Sequence, residues 1–348
     1  MEDSAEIGIL KPLWTRLPDG RWGIHGLKGI HLTPKAGHDA DFFAFDSKME
    51  MLTTTPPSNQ GDMFASFGPT DFLMKQSIVP VVAWVPGAPA MRCIGTGFMV
   101  SCTGYVVTAS HVVLDPRDSG YGKVVGRKGN VEALDGVALG VLIPVSPARA
   151  PNTFEFRPFV ESWYWGKWRQ SPLFHVPDTL ESDTDVAVCK LQERGDGSAY
   201  QPLNLSVNPF LVGETACAIG YALMEDIPIS YVDGRPCVGA FEWELFVSVG
   251  EVTEVYLLNH AENRQVRTPG PCFAFRARIP GKMSGSPIFG AKGAVIRGVV
   301  SSSYSAEKDA TGCMIGPVMT LAFPNGQSLG SLLRAGKDGM AVMTGQGL

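Results

Sequence analysis

Strong charge of either sign is missing from this sequence of 348 residues. Lysine and arginine number 29 against 34 aspartates and glutamates, a formal net charge of −5, and no Lys/Arg-rich run is present that could follow a phosphate backbone. Nucleic acid is not an expected partner. Long apolar runs are missing too, since no stretch reaches the roughly 18 to 20 residues that a membrane helix needs. The first residues, "MEDSAEIGIL", are acidic where a secretory signal or transit peptide would be basic. No membrane is expected as a partner either. The seven cysteines (Cys93, Cys102, Cys189, Cys217, Cys237, Cys272, Cys313) are odd in number and scattered, with no CxxC pair and no Cys/His cluster of zinc spacing. That pattern predicts reduced thiols in a cytoplasmic chain, with no structural disulfide, no metal and no cofactor.

What remains is an ordinary globular composition, 45% hydrophobic and 18% charged, in a chain long enough for two cores of moderate size. Residues 1–75 differ in texture from the rest. Their short apolar pieces are broken by "LPDG", "LTPKAG" and "TTTPPSNQGD", which predicts a mostly irregular N-terminal extension ending in a linker. From Ser77 onward short β-branched runs alternate with Gly/Pro/Asp/Asn turns: "GTGFMVSC", "GYVVTASHVV", "DVAVCKL", "TACAIGYAL", "ELFVSVGEV", "GAVIRGVVSSS". Many short strands without long helical periods predict an all-β barrel or sandwich. The one clear helical spacing is Leu329, Leu332 and Leu333, ending at Gly336. The aromatic stretch from Phe154 to Phe174, with Trp163, Tyr164, Trp165 and Trp168, reads as an inserted hairpin whose rings pack on the barrel.

Three short stretches carry chemistry. "RIPGKMSGSPIFG" sets Ser284 between small residues, which is either ordinary turn vocabulary or a nucleophile on a tight turn. A serine hydroxyl is a weak nucleophile until a histidine takes its proton and a carboxylate orients that histidine. "GYVVTASHVV" offers His111 at the end of a β-branched strand, and "DTDVAVCKL" offers Asp185 at the start of another, with Asp183 as the competing carboxylate.

Together these stretches resemble the trypsin-like (chymotrypsin-fold) serine peptidases, in particular the bacterial and viral-type members without the animal disulfides. The family's T-A-x-H is Thr108 to His111. Its aspartate before an apolar-Ala-apolar run is Asp185, and its x-S-G-[GS]-P is Met283 to Pro287. The small-Gly strand Gly95 to Phe98 and the strand Gly298 to Ser301 also match. The resemblance covers roughly residues 77–335. It implies two antiparallel six-stranded β-barrels with a C-terminal helix: residues 76–205 would carry His111 and Asp185, and residues 206–348 would carry Ser284. It implies a Ser-His-Asp triad of those three residues, and an oxyanion hole of the Lys282 and Ser284 backbone N–H groups. It places Arg278 near the base of a substrate pocket lined by the strand Ser301, Ser302, Ser303, where it would either select acidic side chains or, as the favoured alternative, form a structural ion pair or face outward. A protein or peptide would be the substrate, and any regulatory partner would act through residues 1–75.

Two positions depart from the family. Met283 stands where animal enzymes carry an aspartate that pairs with a newly cut N-terminus, so activation by that ion pair is not expected. Lys282 stands where a glycine is usual, with Gly281 one residue early. Either position 282 adopts a positive φ at a cost, or Gly281 absorbs the strain and the lysine points to solvent. The activity implied is that of a serine endopeptidase. The alternatives are a weakened fold kept as a protein-binding module, and an esterase using the same groups.

Overall fold

The computed structural model describes residues 7–9, 13–16, 22–25, 27–37, 39–51, 70–118, 123–128, 131–145, 154–169, 179–192, 194, 200–232, 235–238, 241, 243–257, 268–290, 295–305, 309–334 and 343–344. Its first barrel is built from Ile78–Trp84, Ala90–Met99, Tyr105–Thr108, Ala138–Pro144, Phe154–Arg169 and Thr179–Leu191. All neighbours are antiparallel, and pairing of Phe98 and Met99 with Val107 and Val106 closes the ring. The apolar runs are continuous because both faces of these strands are covered. In Ile78–Trp84, for example, Val79, Val81 and Ala83 enter a cluster with Val106, Val141 and Ala187. Ile78 and Val82 enter the larger cluster that reaches into the other barrel.

The second barrel consists of Thr215–Tyr221, Leu245–Tyr256, Cys272–Arg276, Pro287–Gly290, Ile296–Ser305 and Asp309–Met314. It is also antiparallel and closed, running from Thr215–Tyr221 through Leu245–Tyr256, Cys272–Arg276, Asp309–Met314 and Ile296–Ser305 to Pro287–Gly290, which pairs back with Thr215–Tyr221. Phe273, Phe275, Ile288 and Val300 fill it. A hairpin that follows its first strand, Ile227–Val232 with Arg235–Val238, crosses to pair Ile227 and Pro228 with Met91 and Ala90 of the first barrel. The helix at Leu329–Arg334 forms where the leucine spacing placed it. Ser328 and Ser331 cap it reciprocally, each hydroxyl accepting the other's N–H at 2.9–3.1 Å.

Two expectations are corrected. The described residues of the extension are not irregular: they form the strands Ile7–Ile9, Leu13–Arg16, Trp22–His25, Leu27–Pro34 and Phe42–Met51, and a helix Thr70–Ser77. Phe42–Met51 pairs Phe42, Phe43 and Ala44 with Ser248, Val247 and Phe246. It thereby covers the edge of Leu245–Tyr256 that Cys272–Arg276 leaves open, since that strand pairs only from Glu251 onward. Leu32, Phe43, Phe45 and Met74 are buried in the same cluster as Ile78 and Val247. Turn-forming sequences hid these strands, because Gly and Pro between short apolar pieces read equally as hairpin turns. The linker "TTTPPSNQGD" lies outside the described residues. The aromatic stretch is likewise not an inserted hairpin. Phe154–Arg169 is one of the first barrel's own strands, paired with Thr179–Leu191. Its rings do pack: Trp165 is buried and donates from Nε1 to the Ala322 carbonyl at 3.0 Å, and Trp163 lies 4.9 Å from the Phe323 ring. Trp168 lies outside the described side chains.

Cys93, Cys189, Cys217, Cys272 and Cys313 are free and buried, and Cys102 is buried as well. Burial pushes the Cys189 and Cys217 thiols up to about 12, and Cys93 also to about 12 against the opposing charge of Lys282. Thiolate is the reactive form, so these buried thiols should resist alkylation in native protein at neutral pH. Unfolded but unreduced protein should take up label on all seven cysteines, counted by intact mass. Two or more protected thiols would reveal a disulfide.

Candidate active site

The strand Tyr105–Thr108 ends at the barrel rim, and the chain turns at once into the helix Ser110–Asp118. His111 therefore sits in the helix's first turn with a half-exposed ring, 47% accessible. Asp185 lies in Thr179–Leu191, whose pairing sets Ala187 opposite Thr108, so its carboxylate reaches the start of that helix. His111 Nδ1 is 2.8 Å from Asp185 Oδ2. Asp185 Oδ1 accepts the His111 backbone N–H at 3.0 Å and the Ser110 hydroxyl at 2.7 Å, and Oδ2 also accepts the Ser301 hydroxyl. Both carboxylate oxygens are thus doubly satisfied. Asp183, the competitor, is exposed.

Ser284 projects from two consecutive tight turns. In the first, Met283 N–H donates to the Pro280 carbonyl at 3.4 Å, with Lys282 in the third position at φ +79°. Positive φ at that position is the signature of a type II turn. In the second, Ser286 N–H donates to the Met283 carbonyl at 3.0 Å, with Gly285 in the third position at φ +86°. A Cβ at Gly285 would lie 2.1 Å from the Thr96 carbonyl oxygen and 2.2 Å from Thr108 Oγ1, so this turn admits only glycine. The Ser284 hydroxyl donates to the Ser301 carbonyl at 3.2 Å. Ser301 therefore touches both ends of the arrangement, Asp185 through its side chain and Ser284 through its backbone.

The lysine question resolves toward the strained alternative. Lys282 itself is left-handed, and Gly281 is not among the positive-φ residues. For a residue with a Cβ this costs about 1–2 kcal/mol. Among the described residues, neither the Lys282 N–H nor the Ser284 N–H donates to a protein acceptor, which leaves two backbone donors beside the serine.

A protein-family model described as a trypsin-like peptidase domain matches residues 95–296, more than half of the chain. The chain belongs to the trypsin-like peptidase family. A comparison with curated protein sequences gives no match. Similar solved structures include Deg5, at 18% identity and TM-score 0.40, covering 75% of this chain and 92% of that one. Neuropsin, a serine protease expressed in the limbic system of mouse brain, is 13% identical at TM-score 0.41, covering 71% and 93%. The Rv3671c protease of M. tuberculosis in its active form is 18% identical at TM-score 0.38, covering 86% and 97%. The family assignment rests on the family model.

Within this trypsin-like frame, the residues expected to line a substrate pocket divide. Ser301 is buried, with its hydroxyl on Asp185 and accepting from Thr268 Oγ1 at 3.2 Å, so its side chain supports the carboxylate and does not line a pocket. Ser302 bonds Thr311, hydroxyl to hydroxyl at 3.1 Å, while the backbone of Ser303 pairs with Ala310. The Ser303 side chain lies outside the described ones. Arg278 does not act as a pocket base: its guanidinium lies 5.0 Å over the Phe42 ring and 3.8 Å from Asp39, both in the N-terminal segment. With both groups exposed, that ion pair adds little stability. Met283 is buried among Ile279, Phe275 and Ile288, so an apolar side chain fills the place next to Ser284. Among the described residues no group of three or more His, Cys, Asp or Glu could hold a metal, and no helix is long and apolar enough to cross a membrane.

Sequence reasoning gave no role to Ser110, Thr96, Thr268 or Thr311. Ser110 stood beside the histidine in "TASH", and its hydroxyl bond to the distant Asp185 was the signal that spacing could not supply. Thr268 Oγ1 lies 2.6 Å from Thr311 Oγ1 and meets Ser301 across strands far apart in the chain.

Burial alone would raise the Asp185 pKa. The charge of His111 and hydrogen bonds from His111, Ser301 and Ser110 outweigh it and hold the group below its ordinary 3.8. A carboxylate lowered on folding contributes stability that is complete above the unfolded value and is lost as pH falls through the folded one. In Tm measured against pH, Asp185→Asn should therefore flatten the fall in stability below about pH 4. Parallel curves for parent and variant would contradict this.

Proposed function

We propose that this chain is a serine endopeptidase acting on protein or peptide substrates through Ser284, His111 and Asp185. The observation that carries the reading is the buried Asp185 carboxylate, which meets His111 Nδ1 at 2.8 Å while Ser301 links it to the nucleophile's turn. A carboxylate so held fixes the Nδ1–H tautomer and leaves Nε2 as the base. To react, the Ser284 hydroxyl has to exchange the Ser301 carbonyl for that nitrogen.

In the reaction, Ser284 Oγ bonds to the substrate carbonyl carbon as its proton passes to His111. The carbonyl oxygen becomes an oxyanion held by the N–H groups of Lys282 and Ser284. Collapse breaks the C–N bond, His111 protonates the departing amine, and an acyl-enzyme remains. Water then repeats the sequence and releases the acid. An extended substrate would pair with the strand edge at Ser301 to Ser303.

Incubation with unfolded casein tests the reading. New peptides, absent with Ser284→Ala, are expected by mass spectrometry. Hydrolysis of simple esters without any casein fragments would favour an esterase, and inertness toward both would favour a binding module.

A further inference from the structure

Lys282 holds a left-handed conformation that its side chain disfavours, so something outside the turn must hold it there. In a type II turn the central peptide, here Gly281–Lys282, presents its carbonyl to one side and its N–H to the other. Flipping that peptide gives a type I turn with negative φ at the third position, which a lysine adopts without strain. The flip would point the Gly281 carbonyl where the oxyanion must sit.

Both carbonyls of this turn are tied from outside. The Leu223 N–H donates to the Gly281 carbonyl at 3.1 Å, a bond that the flipped peptide could not make. The Thr96 hydroxyl donates to the Lys282 carbonyl at 2.9 Å and accepts the Tyr221 N–H at 3.1 Å. Thr96 is fully buried, and its backbone meets the site twice more. Its N–H donates to the Ser284 carbonyl at 2.8 Å, and its carbonyl accepts the Thr108 hydroxyl at 2.7 Å. One first-barrel residue thus grips the carbonyls of Lys282 and Ser284, the two residues whose N–H groups face the oxyanion. The segment Tyr221 to Leu223 completes the clasp, with Leu223 left-handed at φ +53° although its side chain is 68% exposed. Packing of that side chain does not explain its backbone conformation, whereas its N–H bond does. Gly220 leaves room for the arrangement, since a Cβ there would fall 1.8 Å from Ser286 Oγ and 3.1 Å from Thr96 Oγ1.

We propose that Thr96 is a positioning residue for catalysis: its hydroxyl ties the Lys282 carbonyl to the Tyr221 N–H, which sets the Leu223 N–H on the Gly281 carbonyl and so latches the Gly281–Lys282 peptide in the orientation that opens the oxyanion hole. The latch replaces the conformational freedom that a glycine at position 282 would provide. It deepens the peptidase reading and rests on it.

The test is kinetic and uses the full chain with a peptide substrate that the parent cleaves. Thr96→Val keeps the shape and removes the hydroxyl. It should lower kcat about tenfold or more with KM within about twofold, because the lost donor acts on the oxyanion and not on the bound substrate. Thr96→Ser, which keeps the hydroxyl, should recover most of the loss. Lys282→Gly should raise kcat by a larger factor in the Thr96→Val background than in the parent, since glycine takes the positive φ without a latch. A purely structural role for Thr96 would give equal factors in both backgrounds, and that result overturns the proposal. So does a folded Thr96→Val with parental kcat. Should Thr96→Val fail to fold, amide exchange of the parent decides: slow exchange at Leu223 is expected, and fast exchange there overturns the latch. Ser284→Ala is measured in parallel. If it stays active, the peptidase reading fails; if it is dead while Thr96→Val is unimpaired, only the latch fails.

Discussion

Replacing Ser284 by alanine is expected to lower kcat/KM on a peptide substrate by about a thousandfold or more, and His111→Ala by a similar factor. The size follows from the division of labour. Without Oγ no acyl-enzyme forms, and without the imidazole the hydroxyl keeps its proton. The two losses should not multiply in the double variant, because each alone already disables the same step. Asp185→Asn should also cost most of the activity. Its amide can still meet the ring, yet it cannot stabilise the imidazolium, and an amide nitrogen facing Nδ1 selects the wrong tautomer. These variants should leave the fold intact except at Asp185, where four donors lose a charged acceptor. Kinetics on the three single variants and the Ser284/His111 double variant check this. A double variant falling by the product of the single factors would mean that the residues act independently.

Deleting residues 1–51 is expected to unfold the second barrel. The sequence suggested only a mostly irregular extension ending in a linker. In the structure Phe43 and Phe45 are buried with Leu245 and Val247, and Phe42 stacks on Phe246 with ring centroids 5.1 Å apart. Truncating one buried phenylalanine commonly costs about 3–5 kcal/mol, and a whole domain is stable by only about 5–15 kcal/mol. Losing two buried phenylalanines together with the strand that seals the Leu245–Tyr256 edge should exceed that margin. Phe45→Ala alone should lower Tm by several degrees in a thermal melt followed by circular dichroism. A truncated chain that melts cooperatively at the parental Tm would show that this strand is not part of the core.

How far the sequence could be read depended on whether the relevant signal was local. His111, Asp185 and Ser284 were legible as candidates because each sits in a short recognisable motif, although Asp185 lies inside the strand Thr179–Leu191 and not at the start of one. Barrel strands such as Tyr105–Thr108 and Thr215–Tyr221 were legible in kind, since β-branched runs between turns leave little other choice, whereas Phe154–Arg169 read as an insertion. Partners from distant segments were not. Nothing in "FFAFDSKMEM" says that it will lie against Leu245–Tyr256, and nothing in "GTGF" says that its threonine will grip Lys282. For Arg278 the ion pair was foreseeable as an alternative to a pocket role but its partners were not, since Asp39 and Phe42 come from the other end of the chain. Lys282 marks the limit most clearly. The missing glycine was visible, but whether the backbone would yield at position 281 or 282 depended on bonds from Thr96 and Leu223.

The central claim is that Ser284 is an activated nucleophile, and labelling with a fluorophosphonate followed by peptide mapping tests it most directly. The account predicts one equivalent of label on Ser284 in the folded, uncleaved chain, strongly slowed by His111→Ala and absent in Ser284→Ala. Cleavage near the N-terminus should not be needed, because Met283 offers no carboxylate to an ammonium group. A folded chain that takes up no label, or takes it up equally after Ser284→Ala, would contradict the account.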